Sequence, residues 1–393
     1  MRVAFVIPYF YPAMWYGGTP RAAYETARAL VRRGHEVTVL TTDSAGPIRI
    51  PADAIAGINR NGLDGIRVHY YRNLSNNLAY RHRIFFPPRF FHEVKSQLPG
   101  SDVVHIHELR SLLSVASHSA LKSLRTPYVL SPHGGLQHLG KMPAKVIFDL
   151  LWGKTILKDA AGICAISPLE ETDARMFGIE EHRIHRFPSP IDADPYKELP
   201  KPGDFASRWR LENKRIVLFL GRLHWIKGPD ILVESISLLN DIPDLHVVIA
   251  GPDDGAEVKL RHLVRDMKLK DRITFTGFLD DTQRLKALID SFAVVVPSRR
   301  EGFPITMLEA LACGKPLVVS SACDLEDWIR GRATWSTFRN GDPADLAEKL
   351  KTIFGAGRDP KALSEARNFV LSEFSADALA AKAEALYGSL LKN

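Results

Sequence analysis

Two glutamates lie in one short stretch of the C-terminal half, "SRREGFPITMLEALACGKPLVVSS", residues 298–321. The sequence predicts a buried strand before them, a helix that Pro304 opens at its first position, and a second strand after the helix. Ligands of such βαβ units bind beyond the carboxyl ends of the strands, where helix amides favour anions. Glu301 falls in the loop at that edge, and Glu309 falls in an apolar helix where an unpaired carboxylate is costly. Both are candidate ligand contacts; the alternative is a solvated loop residue and an exposed helix position.

A second segment, "FLGRLHWIKGPD" at residues 219–230, places two cations after another predicted strand. Arg222 and Lys227 flank the loop, and Gly228 leads into the next helix. Two cations at the carboxyl end of a strand suit a diphosphate. Two unrelated surface bases are the alternative, and the nearby carboxylate segment favours the diphosphate.

Two segments of the N-terminal half could also contact a ligand. Gly17 and Gly18 precede a helix predicted to begin near Thr19, which gives a flexible backbone at a helix N-terminus. The pattern is not GxGxxG, so a dinucleotide fingerprint is absent. His133 follows a short strand in "VLSPHGGLQHLG" and precedes two glycines, which places its ring at the mouth of the sheet. A plain turn and a structural histidine are the alternatives.

The sequence does not favour a metal site. His105 and His107 alternate at a strand end, and buried or capping histidines are more typical of that pattern than metal ligands. Cys164, Cys313 and Cys323 are odd in number and lack CxxC spacing, so they predict neither disulfides nor a metal knuckle.

Apolar runs rich in Val and Ile alternate with helical segments along the whole chain. Strands without polar alternation that take turns with helices predict a parallel sheet covered on both faces. The pattern pauses at "ELPKPGDFASRW", residues 198–209, and then restarts. The expected fold is therefore α/β, with two Rossmann-like domains, residues 1–198 and 199–374, and a cleft between them. The last segment, residues 375–393, predicts a helix that packs toward the N-terminal domain.

Composition is that of an ordinary globular protein and excludes several classes. Hydrophobic residues make up 45% of the 393 residues, and no uncharged apolar run reaches the roughly 18 residues that a spanning helix needs. The N-terminus lacks a signal-peptide pattern, so we expect a cytoplasmic protein. Residues 1–150 carry 18 Lys and Arg against 9 Asp and Glu. A basic N-terminal half is typical of proteins that meet nucleic acid, an anionic membrane or a phosphorylated ligand.

In combination, these motifs resemble those of the retaining family 4 glycosyltransferases, which have GT-B architecture. The resemblance is carried by Gly17-Gly18 with "LVRRGHEVTVLT", by His133-Gly134, by "GRLHWIKG" and by the E-x7-E segment "EGFPITMLEALACGKPLV". It covers nearly the whole chain in the right order. It implies an acceptor-binding N-terminal domain and a C-terminal domain that binds a nucleotide sugar.

The resemblance also implies roles for individual residues. Arg222 and Lys227 would hold the diphosphate, and Glu309 would accept hydrogen bonds from the ribose hydroxyls. Glu301 would contact the donor sugar, and His133 would approach the sugar near the reacting carbon. The implied catalytic set is His133, Glu301, Arg222 and Lys227. The implied donor-binding set is Gly17, Gly18, Arg222, Lys227, Gly302, Phe303, Pro304, Ile305, Thr306 and Glu309.

The sequence departs from the family pattern at two places. Members often have Gly where Pro304 stands, and proline removes one backbone donor. Ser189-Pro190 in "FPSPID" replaces a familiar Asn-Gly. The resemblance implies transfer with retention of configuration and without a metal or other cofactor, because the two cations supply the charge for the leaving diphosphate.

The stretch "YRHRIFFPPRFF", residues 80–91, interleaves bases with aromatic side chains. Such segments are typical of membrane interfaces. We take it as a hypothetical contact with an anionic membrane or with a lipid-linked acceptor, the alternative being an aromatic cap over the core. The residues concerned are Arg81, Arg83, Phe85, Phe86 and Arg89.

The function predicted is transfer of a sugar from a nucleoside-diphosphate sugar, such as GDP-mannose or a UDP-sugar, to a saccharide or lipid-linked acceptor. The reaction would belong to surface polysaccharide, lipopolysaccharide or glycolipid synthesis. If the aromatic stretch binds a membrane, the enzyme would lie on its cytoplasmic face. A sugar-nucleotide epimerase of the same fold is one alternative. A basic nucleic-acid-binding protein is another, but no binding motif for nucleic acid is present. The missing glycine fingerprint disfavours an NAD-dependent dehydrogenase.

Overall fold

The computed structural model describes residues 1–136, 142–323, 335–357 and 359–392. The chain divides into two compact units. The first consists of Met1–Pro190 together with Ala376–Asn393, and the second of Ile191–Ser375.

The first unit is built on a seven-stranded parallel sheet in the order β3-β2-β1-β4-β5-β6-β7. The central strands are buried on both faces, as the uniform apolar runs predict. The strands are Arg2–Val6 (β1), Glu36–Thr42 (β2), Arg67–Tyr71 (β3), Val103–His107 (β4), Tyr128–Ser131 (β5), Gly162–Ala165 (β6) and Ile184–Arg186 (β7).

Helices cover both faces of this sheet, and each face has its own apolar core. The helices are Gly18–Arg32 (α1), Ala52–Asn61 (α2), Asn76–His82 (α3), Pro88–Gln97 (α4), Leu112–Leu124 (α5), Met142–Phe148 (α6), Lys154–Asp159 (α7) and Pro168–Met176 (α8). A π-helical turn, Asp149–Gly153, joins α6 to α7.

The second unit repeats this plan with a six-stranded parallel sheet in the order β10-β9-β8-β11-β12-β13. Its strands are Arg215–Leu220 (β8), Leu245–Ala250 (β9), Ile273–Gly277 (β10), Ser291–Val296 (β11), Leu317–Ser320 (β12) and Trp335–Phe338 (β13). Its helices are Asp194–Lys197 (α9), Asp204–Arg208 (α10), Pro229–Ile236 (α11), Glu257–Asp266 (α12), Asp281–Asp290 (α13), Ile305–Ala312 (α14), Pro343–Ala356 (α15) and Pro360–Glu373 (α16).

The boundary between the units lies eight residues before the expected one at residue 198. The backbone N–H of Ile191 donates to the carbonyl of Phe374 at 2.9 Å, and Arg367 donates to the carbonyl of Tyr196 at 2.5 Å. These bonds tie residues 191–198 to the end of the second unit. The Pro-rich composition that suggested a linker therefore lies inside the second unit.

The last helix, Ala376–Leu390 (α17), belongs to the first unit, where it packs on α1. Arg32 pairs with Asp377 at 2.9 Å and Arg33 with Glu384 at 2.5 Å across this contact. Tyr387 is fully buried, and its hydroxyl is hydrogen-bonded to Nδ1 of His105 at 2.6 Å. The end of the chain thus fills part of the core under the first sheet.

Two further sequence expectations concern membrane-spanning helices and the cysteines. No helix in the described ranges is long and apolar enough to cross a bilayer. All three cysteines are buried and none forms a disulfide.

Candidate active site

The carboxyl edge of the second sheet brings together two loops that the sequence singled out. The first, residues 221–228, follows β8, and the second, residues 297–304, follows β11. Arg299 joins them: its guanidinium forms a bidentate pair with Asp230 at 2.8 and 2.6 Å and donates to the carbonyl of Trp225 at 2.7 Å. The two loops therefore form one rigid rim.

Gly228 permits the closest approach of these loops. Its φ is +65°, and a Cβ atom at this position would overlap the carbonyl oxygen of Pro297. Only glycine satisfies both the backbone conformation and the contact. The turn that carries Lys227 is therefore set by the neighbouring loop.

We expect Gly228→Ala to destabilise the second unit by about 2–4 kcal/mol, because left-handed strain and a backbone clash add together. Gly314→Ala is the matched control, since Gly314 has a φ of +64° but open space around its Cβ position. The control should cost only about 1 kcal/mol. Urea denaturation of both variants measures the difference, and equal losses would contradict the close approach.

Lys227 and Glu301 form an ion pair at this rim. Glu301 also accepts a hydrogen bond from Oγ of Ser298 at 3.2 Å, and Ser298 is buried. Both charged side chains remain partly exposed, at 25% for Lys227 and 16% for Glu301. A predicted phosphate contact and a predicted sugar contact thus lie side by side and can reach a ligand.

Arg222 lies at the end of β8 and pairs with Asp254 in the loop after β9. The two loops meet closely here, because the backbone N–H of Leu223 donates to the carbonyl of Pro252 at 2.8 Å. Asp254 belongs to the segment "GPDDG", residues 251–255. Its charge holds the Arg222 guanidinium at the rim, where an incoming anion would have to compete with it.

The N-terminus of α14 presents unbonded amides at the same edge. In the described part of the chain, no group accepts a hydrogen bond from the backbone N–H of Gly302, Ile305 or Thr306. Pro304 precedes the helix as its N-cap rather than occupying the first helical position. Phe303 is buried and stacks on Phe374, so its side chain supports the loop. Free amides at a helix N-terminus favour an anionic ligand.

Glu309 lies one helical turn further along α14 and is 3% exposed. Nη2 of Arg284, on α13, lies 3.1 Å from Oε1 of Glu309 and 3.2 Å from Oδ1 of Asp281. The carboxylate is therefore paired inside the protein, as the cost of burying a charge requires. The alternative interpretation, in which Glu309 is an exposed helix residue, is therefore wrong.

In the first unit, Gly17 and Gly18 lie at the N-terminus of α1. Gly17 is the N-cap with a φ of +91°, and Gly18 is the first helical residue and is exposed. A Cβ on Gly17 would meet no atom within 4 Å, so the space in front of this helix end is open. The first turn of α1 can approach a ligand closely.

His133 ends a stack of three imidazole rings. Its ring lies over that of His107 at 5.2 Å, and His107 lies over His105 at 4.2 Å. Nε2 of His133 is 2.9 Å from Nδ1 of His107. Burial lowers the pKa of His133 to about 4 and that of His105 to about 3, so the stack is uncharged at neutral pH. His133 is half-buried, whereas the other two rings are buried, as the structural interpretation of "HIH" predicts.

Glu170 holds the turn that carries His133. It occupies the third position of α8, where Ser167 caps the helix, and its carboxylate accepts from the backbone N–H of Gly134 at 2.6 Å and of Ile166 at 2.9 Å. Burial raises the pKa of Glu170 to about 7, although these amide bonds oppose the shift. The rest of the segment "VLSPHGGLQHLG", residues 137–140, lies outside the described residues.

Glu108 follows β4 directly beside this turn and adopts a left-handed backbone with a φ of +68°. Burial raises the pKa of its carboxyl group to about 8, from an ordinary value near 4.5. Non-glycine residues with such backbones cluster at functional sites. Glu108 and His133, whose φ is +52°, both have strained backbones at the carboxyl edge of the first sheet.

The raised pKa of Glu108 predicts a pH-dependent stability. The protonated carboxyl stabilises the fold below pH 4.5, and this contribution is lost as the pH rises through about 8. Relative to wild type, Glu108→Gln should therefore gain about 1–3 kcal/mol in unfolding free energy between pH 5.5 and 8.5. Urea denaturation at both pH values tests this, and a constant difference would contradict it.

The aromatic stretch at residues 80–91 is only partly available to a surface. Phe85 is 2% exposed and packs on Tyr9 and Tyr16, so its assignment to a membrane or acceptor contact was wrong. Phe86 is 41% exposed. Arg81, Arg83 and Arg89 are exposed; Arg83 lies over the ring of Tyr16, and Arg89 pairs with Glu93 at 2.5 Å.

Three supporting residues were not found from the sequence. The pattern S-x-x-E at Ser167 and Glu170 is a capping-box signal that could have placed Glu170 at a helix start. No local signal identifies Arg284 or Asp254 as partners, because each pairs with a residue on a different element. Within the described residues, no group of three or more His, Cys, Asp or Glu side chains could hold a metal ion.

Two family models match the chain. Residues 16–195 match glycosyltransferase family 4, and residues 204–368 match glycosyl transferases group 1. Together they span nearly the whole chain, and two parallel α/β units of this kind are those of the GT-B fold. The protein is therefore a glycosyltransferase. The chain belongs to glycosyltransferase family 4 and is an enzyme of the hexosyltransferase type.

Individual glycosyltransferases are similar to this chain in sequence or in structure. The chain is 25% identical to a D-inositol 3-phosphate glycosyltransferase of Xylanimonas cellulosilytica over 366 residues, covering 86% of this chain and 83% of that protein. It matches the structure of Anabaena Alr3699/HepE in complex with UDP and glucose, with a TM-score of 0.78, 17% identity, and coverage of 99% and 100%. It matches WaaG, a glycosyltransferase involved in lipopolysaccharide biosynthesis, with a TM-score of 0.71, 16% identity, and coverage of 98% and 99%. The two structural likenesses show the fold.

Proposed function

We propose that this enzyme transfers a hexose from a nucleoside-diphosphate sugar to a hydroxyl group of a saccharide or lipid-linked acceptor, with retention of configuration. The observation that carries the proposal is the rim of the second sheet. There, the Lys227–Glu301 pair, Arg222 and the free amides of α14 surround one edge.

The donor diphosphate binds Arg222 and Lys227, and the α14 amides add partial positive charge. The bond between the sugar carbon and the phosphate oxygen breaks, and negative charge collects on the leaving diphosphate. Fixed cations and amides stabilise this charge more in the transition state than in the ground state. The acceptor oxygen bonds to the same face of the sugar carbon, and its proton passes to the leaving phosphate.

Glu301 accepts hydrogen bonds from the donor sugar, and its ion pair with Lys227 positions sugar and phosphate contacts together. Glu309 accepts from the ribose hydroxyls, with Arg284 holding its carboxylate in place. Gly302, Phe303, Ile305 and Thr306 contribute backbone amides, whereas Pro304 has none to offer. In the first unit, Gly17, Gly18 and His133 are assigned to contacts with the phosphates or the sugar, and His133 would act as a neutral ring.

UDP is the first donor nucleotide to test, because Alr3699/HepE was solved with UDP and glucose. The proposal places the reaction in the synthesis of a surface polysaccharide or lipopolysaccharide, by analogy with WaaG, which is involved in lipopolysaccharide biosynthesis. The proposal also includes binding of the acceptor by the first unit and a peripheral contact of the enzyme with a membrane.

A thermal-shift screen over UDP-, GDP-, ADP- and dTDP-sugars tests the donor assignment. A ligand at 100 times its Kd stabilises the folded state by about 2.7 kcal/mol, which raises the Tm measurably. One nucleotide should give the largest shift, and Arg222→Met should reduce it. If none of the four raises the Tm, the assignment of the rim to a nucleotide sugar is wrong.

Chelation of metals should leave the transfer rate unchanged, because Arg222 and Lys227 supply the positive charge that a divalent ion provides elsewhere. The measurement compares initial rates with and without EDTA for the donor found in the screen. A rate that falls with EDTA and returns with Mg²⁺ or Mn²⁺ would contradict metal-independent transfer.

A further inference from the structure

The helical segment at residues 143–158 exposes a run of large apolar side chains. Five of them lie within seven residues: Val146 (47% exposed), Ile147 (56%), Leu150 (72%), Leu151 (56%) and Trp152 (40%). Single exposed apolar residues are ordinary, but a contiguous group of this size marks an interaction site. We call these five side chains, with Lys154 and Lys158, the outer face.

The opposite side of the segment is firmly anchored. Asp149, Gly153, Ile156 and Leu157 are buried at helical intervals of three or four residues. Asp149 forms a bidentate pair with Arg110, at 2.9 and 2.6 Å. The inner side therefore fixes the orientation of the helix, and the outer face points to solvent as a consequence of packing.

The charge on the outer face is basic. Lys154 and Lys158 are exposed and follow the apolar residues along the same segment. The acid inside the segment, Asp149, is neutralised by Arg110, and the next acid, Asp159, pairs with His118 at 2.9 Å. Exposed apolar and aromatic side chains flanked by lysines match the chemistry of an anionic lipid surface, where headgroups attract the lysines and acyl chains accept the apolar groups.

The same helical layer of the first unit presents a second apolar group. Helix α4 packs on α5, and α5 packs on α7. Just before α4, four further apolar side chains are exposed: Leu74 (69%), Leu78 (42%), Ile84 (47%) and Phe86 (41%). Three exposed arginines, Arg81, Arg83 and Arg89, accompany them. The outer face and this second group are both apolar and basic and lie on one helical layer. Two such groups fit a broad planar binding partner better than a small one.

We propose that the outer face docks on an anionic lipid bilayer and inserts its apolar side chains at the headgroup boundary. The contact is interfacial and reversible. It deepens the proposed function by giving a lipid-linked acceptor a route to the first unit, and it can be tested without any transfer reaction.

Flotation of the full chain with vesicles provides the test. Vesicles of phosphatidylcholine with phosphatidylglycerol should bind the protein at low salt, and pure phosphatidylcholine should bind it at least several-fold less. Leu150→Ser with Leu151→Ser should weaken binding about tenfold or more, because two large apolar side chains no longer leave water. The matched control, Val258→Ser with Phe278→Ser, removes two side chains of similar exposure (68% and 65%) from the second unit and should bind like wild type.

Lys154→Ala with Lys158→Ala should weaken binding to the anionic vesicles and flatten its salt dependence. The proposal is overturned if wild type does not float at low salt, or if the Leu150/Leu151 variant floats like wild type. It is also overturned if sedimentation shows a dimer that this variant abolishes, since a second copy then covers the face. The Tm shift with nucleotides should be unchanged in these variants, which separates failure here from failure of the donor assignment.

Discussion

Lys227→Met is expected to lower kcat/KM about 10²- to 10³-fold, the loss typical when a preorganised donor to a developing anion is removed. The structure places Lys227 in an ion pair with Glu301, on a turn that Gly228 and Arg299 hold against the neighbouring loop. Methionine keeps the length of the side chain, so the turn should persist while the charge is lost. Steady-state kinetics with the donor from the thermal-shift screen measures the effect.

Lys286→Met is a suitable control for this variant. Lys286 pairs with Asp204 at 2.7 Å, away from the two rim loops, and its side chain is 36% exposed. Its replacement should leave kcat/KM within about twofold, because exposed ion pairs contribute little. Full activity in the Lys227 variant would show that the diphosphate binds elsewhere.

Glu309→Ala is expected to raise the KM for the donor about 10- to 100-fold, the equivalent of a charge-assisted hydrogen bond or two to the ribose. Glu301→Ala should instead act chiefly on kcat, because its contacts lie with the sugar whose bond breaks. This contrast between two carboxylates in one segment distinguishes a ribose contact from a contact at the reacting sugar.

Arg284 makes the Glu309 experiment more informative. In Glu309→Ala the guanidinium retains Asp281, so the fold should tolerate the change. Glu348→Ala, on the exposed side of α15, provides the control and should match wild type. If Glu301→Ala and Glu309→Ala both keep full transferase activity, the site assignment is wrong.

Much of this architecture could be predicted from the sequence because its signals are local. Unbroken apolar runs between helices define parallel strands, and each candidate residue was placed by the strand that it follows. Arg222, Lys227 and Glu301 accordingly lie at the carboxyl edge of one sheet. The apolar helix around Glu309 also indicated that its carboxylate would not tolerate burial without a partner, and Arg284 is such a partner.

The features that the sequence could not predict depend on contacts between elements that are distant in the chain. Asp254 is 32 residues from Arg222, and no periodicity records their pairing. Phe85 and Phe86 are adjacent and chemically identical, yet only Phe85 packs against Tyr9 and Tyr16. The boundary between the units depends on a bond between Ile191 and Phe374, which composition near residue 198 could not reveal.

The buried Tyr387 has a consequence for synthesis of the protein on the ribosome. The second unit is one continuous stretch of chain, so all of its residues emerge from the ribosome before α17 does. The first unit, although it begins the chain, must wait for its final helix before His105 gains its hydroxyl partner. The core of the first unit therefore stays incomplete until α17 has left the exit tunnel, which happens only after the whole second unit has been synthesised.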